Sequence, residues 1–233
     1  MAQLQLTLDH GKRHELIRMA DRMADHVDIF EVGYPELITF GLDVVKEIHE
    51  AHPDLKICVD AKVFHGGSGV TRRCFEAGAS IVTVLAYAPN EVIQQMVRHA
   101  HEYGGAILCD LDGVRNLGRR TAEVDKLGVR YCHVSTGFLM EHEYDLEKPQ
   151  HGSIFQLRPL ERAAAVKRNL IHAGLALGTG INEKNLDEVL KFKPEIVMVG
   201  RAITTADGAY KTSPERQMEV ADRMRAKLHA QAW

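Results

Sequence analysis

The feature that most constrains this sequence is a regular alternation of short, mostly apolar runs with longer amphipathic segments. Eight such runs occur, at about residues 3–9, 27–32, 55–59, 80–85, 106–109, 130–134, 170–177 and 195–199. Runs this short and apolar are typical of parallel strands that are buried on both faces. Strands that alternate with helices predict an α/β fold. The predicted helices include one over residues 35–51 and one over residues 155–168.

Two architectures fit this alternation: a closed (β/α)8 TIM barrel and an open, doubly wound sheet. The barrel is favoured because the eight units are nearly equal and polar residues cluster where the strands end. A barrel of this kind typically needs about 250 residues, and the chain has 233 without a linker or low-complexity run. We therefore predict a single (β/α)8 barrel domain over residues 1–233.

The composition of the chain limits the classes of partner and the cellular location that we expect. The formal net charge is -3, which argues against a nucleic-acid partner and favours a small-molecule substrate. No apolar run is long enough to span a membrane, and the first ten residues alternate instead of forming a signal-peptide core, so we expect a cytoplasmic protein. The cysteines lack metal-site spacing and are predicted to be buried thiols; they are Cys58, Cys74, Cys109 and Cys132.

Acidic residues lie at the carboxyl-terminal exits of four of the predicted strands. In a barrel the carboxyl ends of the strands converge on one mouth, so these acids should meet there. They are Asp9, Glu31, Asp60 and Asp110. Such a cluster needs positive charge, from a divalent cation or from Lys62, which shares a strand face with Asp60. A solvated network of rim charges is the alternative for any one acid alone.

Oxygen ligands of this kind suit Mg²⁺, which takes one or two carboxylates and completes its octahedron with water and substrate oxygens. We select Glu31 and Asp60 as the predicted metal ligands. Two glycine turns, after the seventh and eighth strands, are predicted to bind a substrate phosphate through backbone N–H groups and an arginine. Their residues are Gly178, Thr179, Gly180, Gly200 and Arg201.

Several stretches, spread over nearly the whole chain, carry a resemblance to a known family. They are residues 6–9 (LTLD), 29–33 (IFEVG), 59–62 (VDAK), 75–79 (FEAGA), 82–84 (VTV), 179–181 (TGI) and 199–203 (VGRAI). In combination they resemble the hexulose-6-phosphate synthase and 3-keto-L-gulonate-6-phosphate decarboxylase family, within the orotidine-monophosphate decarboxylase superfamily.

The resemblance implies a homodimeric barrel with active sites near the subunit interface. It implies Mg²⁺ at Glu31 and Asp60, a sugar phosphate held as an enediolate, and Lys62 beside the developing negative charge. The synthase of the family adds formaldehyde to the enediolate of ribulose 5-phosphate, whereas the decarboxylase generates the enediolate by losing CO₂. The predicted catalytic residues are Asp9, Asp60, Lys62, His65, Asp110 and Ser135.

The sequence departs from the family pattern at two positions. His65 replaces an acid that reaches across the dimer interface in relatives, and Ser135 replaces a histidine that handles a proton. His65 could supply the missing acid–base group or could pack at the subunit contact, and both interpretations stay open. His133, two residues before Ser135 on the same strand face, could substitute only if the strand exit is displaced.

The turn at Ser135 is closer to the His-Thr-Gly of the synthase than to the arginine-bearing loop of the decarboxylase, because no arginine occurs between Arg130 and Arg158. We therefore favour a magnesium-dependent aldol reaction. Decarboxylation, isomerisation of a sugar phosphate and non-catalytic binding are the alternatives. Residues 138–152 are either a lid over the substrate or a solvated surface loop.

Overall fold

Eight parallel strands form a closed barrel in the computed structural model, which describes residues 1–8, 11–136, 160–205 and 212–231. Each strand pairs with the next one along the chain, and β8 closes the barrel against β1. The strands are β1 (Gln3–Leu8), β2 (Ile29–Val32), β3 (Lys56–Val63), β4 (Ile81–Leu85), β5 (Ala106–Asp110), β6 (Tyr131–Ser135), β7 (Gly174–Gly178) and β8 (Ile196–Val199). The predicted (β/α)8 TIM barrel is confirmed.

Helices surround the barrel in the described part of the chain. They are α1 (Arg13–Met23), α2 (Tyr34–Phe40), α3 (Asp43–Ala51), α4 (Gly67–Glu76), α5 (Asn90–Glu102), α6 (Leu117–Lys126), α7 (Glu161–Lys167), α8 (Leu186–Leu190), α9 (Arg201–Thr204) and α10 (Pro214–His229). The prediction of one helix over residues 35–51 is wrong, because Gly41 ends α2 with a φ of 66°, which helical backbone does not adopt. The first half of the helix predicted over residues 155–168 lies outside the described residues.

Two predicted strands differ from those observed by four residues at one end. The seventh begins at Gly174 instead of residue 170, because Asp125 Oδ1 accepts hydrogen bonds from the backbone N–H groups of residues 171–173. Strand β3 continues beyond residue 59 to Val63, so Asp60 and Lys62 lie within it. The register of β3 against β4 shifts between Val59 and Val63, and Lys62 adopts a φ of 45°. This local distortion lies at the residues where we predicted the chemistry.

Apolar side chains fill two regions of the core. The larger region lies between the sheet and the helices and contains the outward-facing strand residues, such as Phe30, Ile57 and Val82. The smaller region fills the barrel interior with Ile29, Cys58, Ile81, Leu108, Tyr131, Ala176 and Ile196. The four cysteines are free and buried, as predicted. Within the described ranges no helix is both long and apolar enough to cross a bilayer.

Candidate active site

The polar residues of the barrel interior lie directly above its apolar layer, toward the carboxyl ends of the strands. Inward-facing side chains recur at every second residue of a strand. On β2 to β6, the inward residue that follows the apolar layer is polar and buried. These residues are Glu31, Asp60, Thr83, Asp110 and His133, each two positions after its apolar neighbour. Acids predicted at separate strand exits are therefore part of one interior layer.

Lys62 bridges two of these carboxylates. Its Nζ lies 3.1 Å from Asp60 Oδ2 and 3.3 Å from Asp110 Oδ2. Burial disfavours the ammonium charge, but the attraction of both carboxylates outweighs it and holds the pKa of Lys62 above its ordinary value. Lys62 is therefore a fixed positive charge at the mouth of the barrel.

The predicted metal ligands face the same interior from neighbouring strands. Glu31 Oε2 accepts hydrogen bonds from Gln5 Nε2 at 2.7 Å and from Thr7 Oγ1 at 2.9 Å. Asp60 Oδ1 accepts one from Thr83 Oγ1 at 2.9 Å. Burial raises the pKa of the Cys58 thiol, and the carboxylates of Glu31 and Asp60 raise it further. Glu31 pairs across the sheet with Cys58, two residues before Asp60, so the two buried acids occupy adjacent positions of the interior layer. Carboxylate oxygens are the ligand type that Mg²⁺ prefers.

A second chain of contacts runs from Asp110 to His133. Asp110 Oδ1 lies 3.4 Å from His133 Nδ1 and accepts the backbone N–H of Asp112 at 2.8 Å. Burial alone would lower the pKa of His133, but its hydrogen bond and charge interaction with Asp110 raise it to about 9. Burial alone would raise the pKa of Asp110, yet the contacts with His133 and Lys62 hold it below its ordinary value. The pair is therefore an imidazolium beside a carboxylate near neutral pH.

Asp110, Asp112 and His133 could also be considered as a metal site, since their ligand atoms lie within 4.8 Å of one another. Positively charged side chains already pair with the acids of this cluster. Lys62 contacts Asp110, and Arg162 Nη2 lies 3.8 Å from Asp112 Oδ1. We therefore assign the cluster to the network of charges around Lys62.

Ser135 is held between Asp112 and the turn after β7. Its backbone N–H donates to Asp112 Oδ1 at 2.9 Å, and its hydroxyl donates to Asp112 Oδ2. The same hydroxyl lies 2.9 Å from Thr179 Oγ1, while the Thr136 hydroxyl donates to the carbonyl of Thr179. These contacts hold Thr179 at a φ of 68°, a conformation that costs an L-residue roughly 1–2 kcal/mol. Ser135 and Thr136 thus fix the backbone of the predicted phosphate turn.

The two glycine turns leave adjacent strands at the mouth. Gly178 ends β7, Gly180 has a φ of 75°, and Gly200 follows β8, which pairs with β7. A Cβ on Gly200 would lie 3.2 Å from the carbonyl oxygen of Thr7, so this position has little room for a side chain. Arg201 is exposed and begins the short helix α9. The turns open at the same end of the barrel as Lys62.

Other predicted residues lie apart from this network or outside the described residues. His65 is exposed in the turn after β3, and its ring packs edge-on against Phe64 with centroids 4.5 Å apart. Asp9 and residues 138–152 are outside the described residues. Sequence reasoning missed the contributions of Asp112 and Arg162, and considered His133 only as a conditional substitute. The inward, two-residue spacing of His133 after Tyr131 could have identified it, whereas no local pattern indicates the buried Arg162.

A family model described as orotidine 5'-phosphate decarboxylase / HUMPS family matches residues 2–213. The chain belongs to this family. The 3-hexulose-6-phosphate synthase of Bacillus subtilis (strain 168) is 35% identical to this HUMPS-family chain over 219 residues, which cover 94% of the chain and 99% of the relative. This confirms the resemblance inferred from the sequence.

Solved structures agree with the assignment to the HUMPS family. The 3-hexulose-6-phosphate synthase from Salmonella typhimurium matches with a TM-score of 0.82 at 28% identity, covering 97% of this chain and 100% of that one. A 3-keto-L-gulonate-6-phosphate decarboxylase from Vibrio cholerae shares the fold with a TM-score of 0.75 at 22% identity, over 96% and 98% of the two chains. The prediction that this family member is a lyase is confirmed.

Proposed function

We propose that the protein catalyses a magnesium-dependent aldol reaction between formaldehyde and ribulose 5-phosphate, through an enediolate of the ketose phosphate. The observation that carries this proposal is the position of Lys62 between Asp60 and Asp110, at the barrel end where the glycine turns also open. The curated relatives named 3-hexulose-6-phosphate synthase support the choice of substrates.

Lys62 would stabilise the negative charge that develops on the ketose oxygens when a base takes the proton from the adjacent carbon. The sequence indicates His65 as the candidate base, and the same group would return the proton to the oxygen of the added formaldehyde. A fixed ammonium in a site with little water is effective because no solvent must reorganise as the charge forms. Asp60 and Asp110 keep Lys62 protonated and restrict its position. The proposal therefore needs no proton transfer to or from Lys62.

Glu31 and Asp60 would hold Mg²⁺ at the same mouth. When bound, the ion would supply a second positive centre and favour the ionised form of the substrate. Gln5, Thr7 and Thr83 donate hydrogen bonds to the two carboxylates and so fix their orientation. Fixed ligands bind a metal more tightly than mobile ones, because less conformational freedom is lost on binding.

The phosphate of the sugar would bind at the turns after β7 and β8. Gly178 is buried at the end of β7, whereas Gly180 and Gly200 are partly exposed turn residues whose backbone N–H groups would donate to the phosphate. Arg201 adds a positive charge nearby. Thr179 is held in place by Ser135 and Thr136, so this turn is organised before the ligand arrives. A substrate anchored there would extend across the mouth toward Lys62.

The proposed reaction can be tested by incubating the protein with ribulose 5-phosphate, ¹³C-formaldehyde and Mg²⁺ and following the products by NMR. We expect a hexulose phosphate that carries the label, and loss of activity with EDTA that Mg²⁺ restores. Activity that chelation does not change would remove the metal from the proposal. Solvent deuterium uptake into the pentulose phosphate without aldehyde consumption would indicate proton transfer as the reaction, and tight binding without turnover would indicate a sugar-phosphate binder.

We further propose that two copies of the chain pair at the mouth of the barrel. Tyr34 and Ile38 on α2 are 42% and 68% exposed, and Phe64, which follows the adjacent strand β3, is 42% exposed. Helix α2 contacts β3, and exposed apolar side chains on neighbouring elements favour a protein contact over solvent. Sedimentation of Ile38→Asp should show a monomer where the natural chain shows a dimer. The cytoplasmic location inferred from the sequence stays a prediction that cell fractionation can check.

A further inference from the structure

We propose that His133 is a positioning residue that acts through Asp110 to hold the Lys62 ammonium in its reactive place. The inference deepens the proposed function, because it assumes that Lys62 serves the reaction. His133 replaces no residue in the predicted catalytic set; it acts on that set through Asp110.

The geometry is a continuous row of alternating charges. Asp60 contacts Lys62, Lys62 contacts Asp110, and Asp110 contacts His133, with distances of 3.1, 3.3 and 3.4 Å between the nearest charged atoms. The two oxygens of Asp110 are divided between the two cations, Oδ2 toward Lys62 and Oδ1 toward His133. Any rotation of this carboxylate therefore changes both contacts together.

The burial of Asp110 shows what His133 contributes. A buried carboxylate without side-chain partners is costly. Lys62 contacts Oδ2 of Asp110 and His133 contacts Oδ1, so the carboxylate is held through both oxygens. The charged groups that act on the His133 ring are Asp110 at the end of β5, Asp112 just beyond it and Lys62 on β3, whereas the neighbouring strands β7 and β8 present Gly178 and Met198.

The second ring nitrogen of His133 carries an energetic cost. His133 Nε2 is buried, and within the described residues it has no hydrogen-bond partner. An unpaired buried polar atom costs roughly 1–3 kcal/mol. A Cβ on Gly178 would lie 3.0 Å from this atom, so the ring also requires a residue without a side chain on β7. A small apolar residue would avoid both costs but would leave Asp110 without the imidazole, so the contact with Asp110 accounts for a histidine at this position.

The role of Ser135 supports the same assignment. The Ser135 hydroxyl donates a hydrogen bond to Asp112 and contacts the hydroxyl of Thr179, which lies in the turn predicted to bind phosphate. His133, the preceding inward residue of β6, instead contacts the carboxylate that holds Lys62. The two residues thus serve different halves of the site.

Two substitutions separate positioning from structural support. His133→Leu removes the donor and the charge, whereas His133→Asn keeps a short donor that can still reach Asp110. We expect kcat to fall by about 100-fold in the first variant and by about tenfold in the second, with KM for the sugar phosphate changed less than about threefold. His229→Asn is the matched control, because His229 pairs with Asp28 at 2.9 Å at the opposite end of the barrel and should retain full activity.

Two further measurements keep the inference testable if a variant is unstable or if the protein has no aldol activity. A crystal structure of His133→Leu should show Asp110 rotated and its contact with Lys62 lost. NMR titration of His133 in the natural protein should show an imidazole that is still protonated at pH 8. Three results would each overturn the inference: wild-type kcat in both variants, an unchanged contact between Lys62 and Asp110 in the His133→Leu structure, or a neutral His133 at pH 7. The last two results do not depend on which reaction the protein catalyses.

Discussion

Lys62 Nζ and Asp110 Oδ2 lie 3.3 Å apart, although the two residues are 48 positions apart in the sequence. The contact exists because β3 and β5 direct their inward-facing residues into one polar layer at the mouth of the barrel. It joins the predicted metal side of the site, at Asp60, to the network that contains His133 and Asp112. The predictions below test the separate parts of this connected site.

The metal proposal predicts that Glu31→Gln weakens Mg²⁺ binding by at least about tenfold, since a hard divalent cation depends on carboxylate charge. The variant should fold normally, because Gln5 and Thr7 can still donate to the remaining amide oxygen. Calorimetric titration of Mg²⁺ into the protein measures the effect. Glu195→Gln, at the amino-terminal end of the barrel, is the control, and equal affinity in both variants would contradict the assignment.

The backbone at Lys62 predicts a difference between two inactive variants. Its φ of 45° is unfavourable for a residue with a side chain, so Lys62→Gly should be more stable than Lys62→Ala by about 1 kcal/mol. Both should lack activity because both lack the ammonium. Urea unfolding measures the difference. Lys193→Gly is the control, because Lys193 is exposed and has a φ of 50°; this variant should gain similar stability and remain active. Equal stability of Lys62→Gly and Lys62→Ala would argue against backbone strain at Lys62.

The contacts of Ser135 predict that Ser135→Ala impairs substrate binding more than turnover. Without the hydroxyl, Thr179 loses one of the contacts that hold its unfavourable backbone conformation. We expect KM for the sugar phosphate, and the inhibition constant of inorganic phosphate, to rise about fivefold to tenfold. A fall in kcat with unchanged KM would instead support the catalytic role that the sequence predicted for Ser135.

The pair of Asp110 and His133 predicts how stability depends on pH. The pKa of His133 is raised from 6.5 to about 9, so its contribution is complete below pH 6.5 and is lost as the pH rises through 9. The pKa of Asp110 is lowered from 3.8, so its contribution is present above pH 3.8 and is lost as the pH falls further. The wild type should therefore be more stable than His133→Asn at pH 6.5, and this difference in the free energy of unfolding should become smaller as the pH rises to 9. A constant difference over this range would contradict the assigned protonation state.

Patterns within single segments were sufficient to predict much of the fold and part of the site. The apolar runs identified the strands, and the acids that follow them identified Glu31, Asp60 and Asp110 as neighbours. The shared strand face of Asp60 and Lys62 also predicted their contact, which the structure places at 3.1 Å.

Features that depend on contacts between distant segments were not predictable from those patterns. The late start of β7 depends on Asp125, 46 or more residues earlier in the chain. Likewise, the restraint on Thr179 requires Ser135 and Thr136 on a different strand. The register shift at Lys62 also arises from pairing with β4, which the sequence of β3 alone does not specify.

The central claim is that acids from β2 and β3 and the ammonium of Lys62 serve one carbon–carbon bond-forming reaction. Formaldehyde consumption in the presence of ribulose 5-phosphate and Mg²⁺, compared between the natural protein and Glu31→Gln, tests this claim most directly. We predict one formaldehyde consumed per hexulose phosphate formed by the natural protein, and a rate at least about 100-fold lower for the variant. Equal rates in the two proteins, or no consumption by the natural protein with Mg²⁺ present, would contradict the claim.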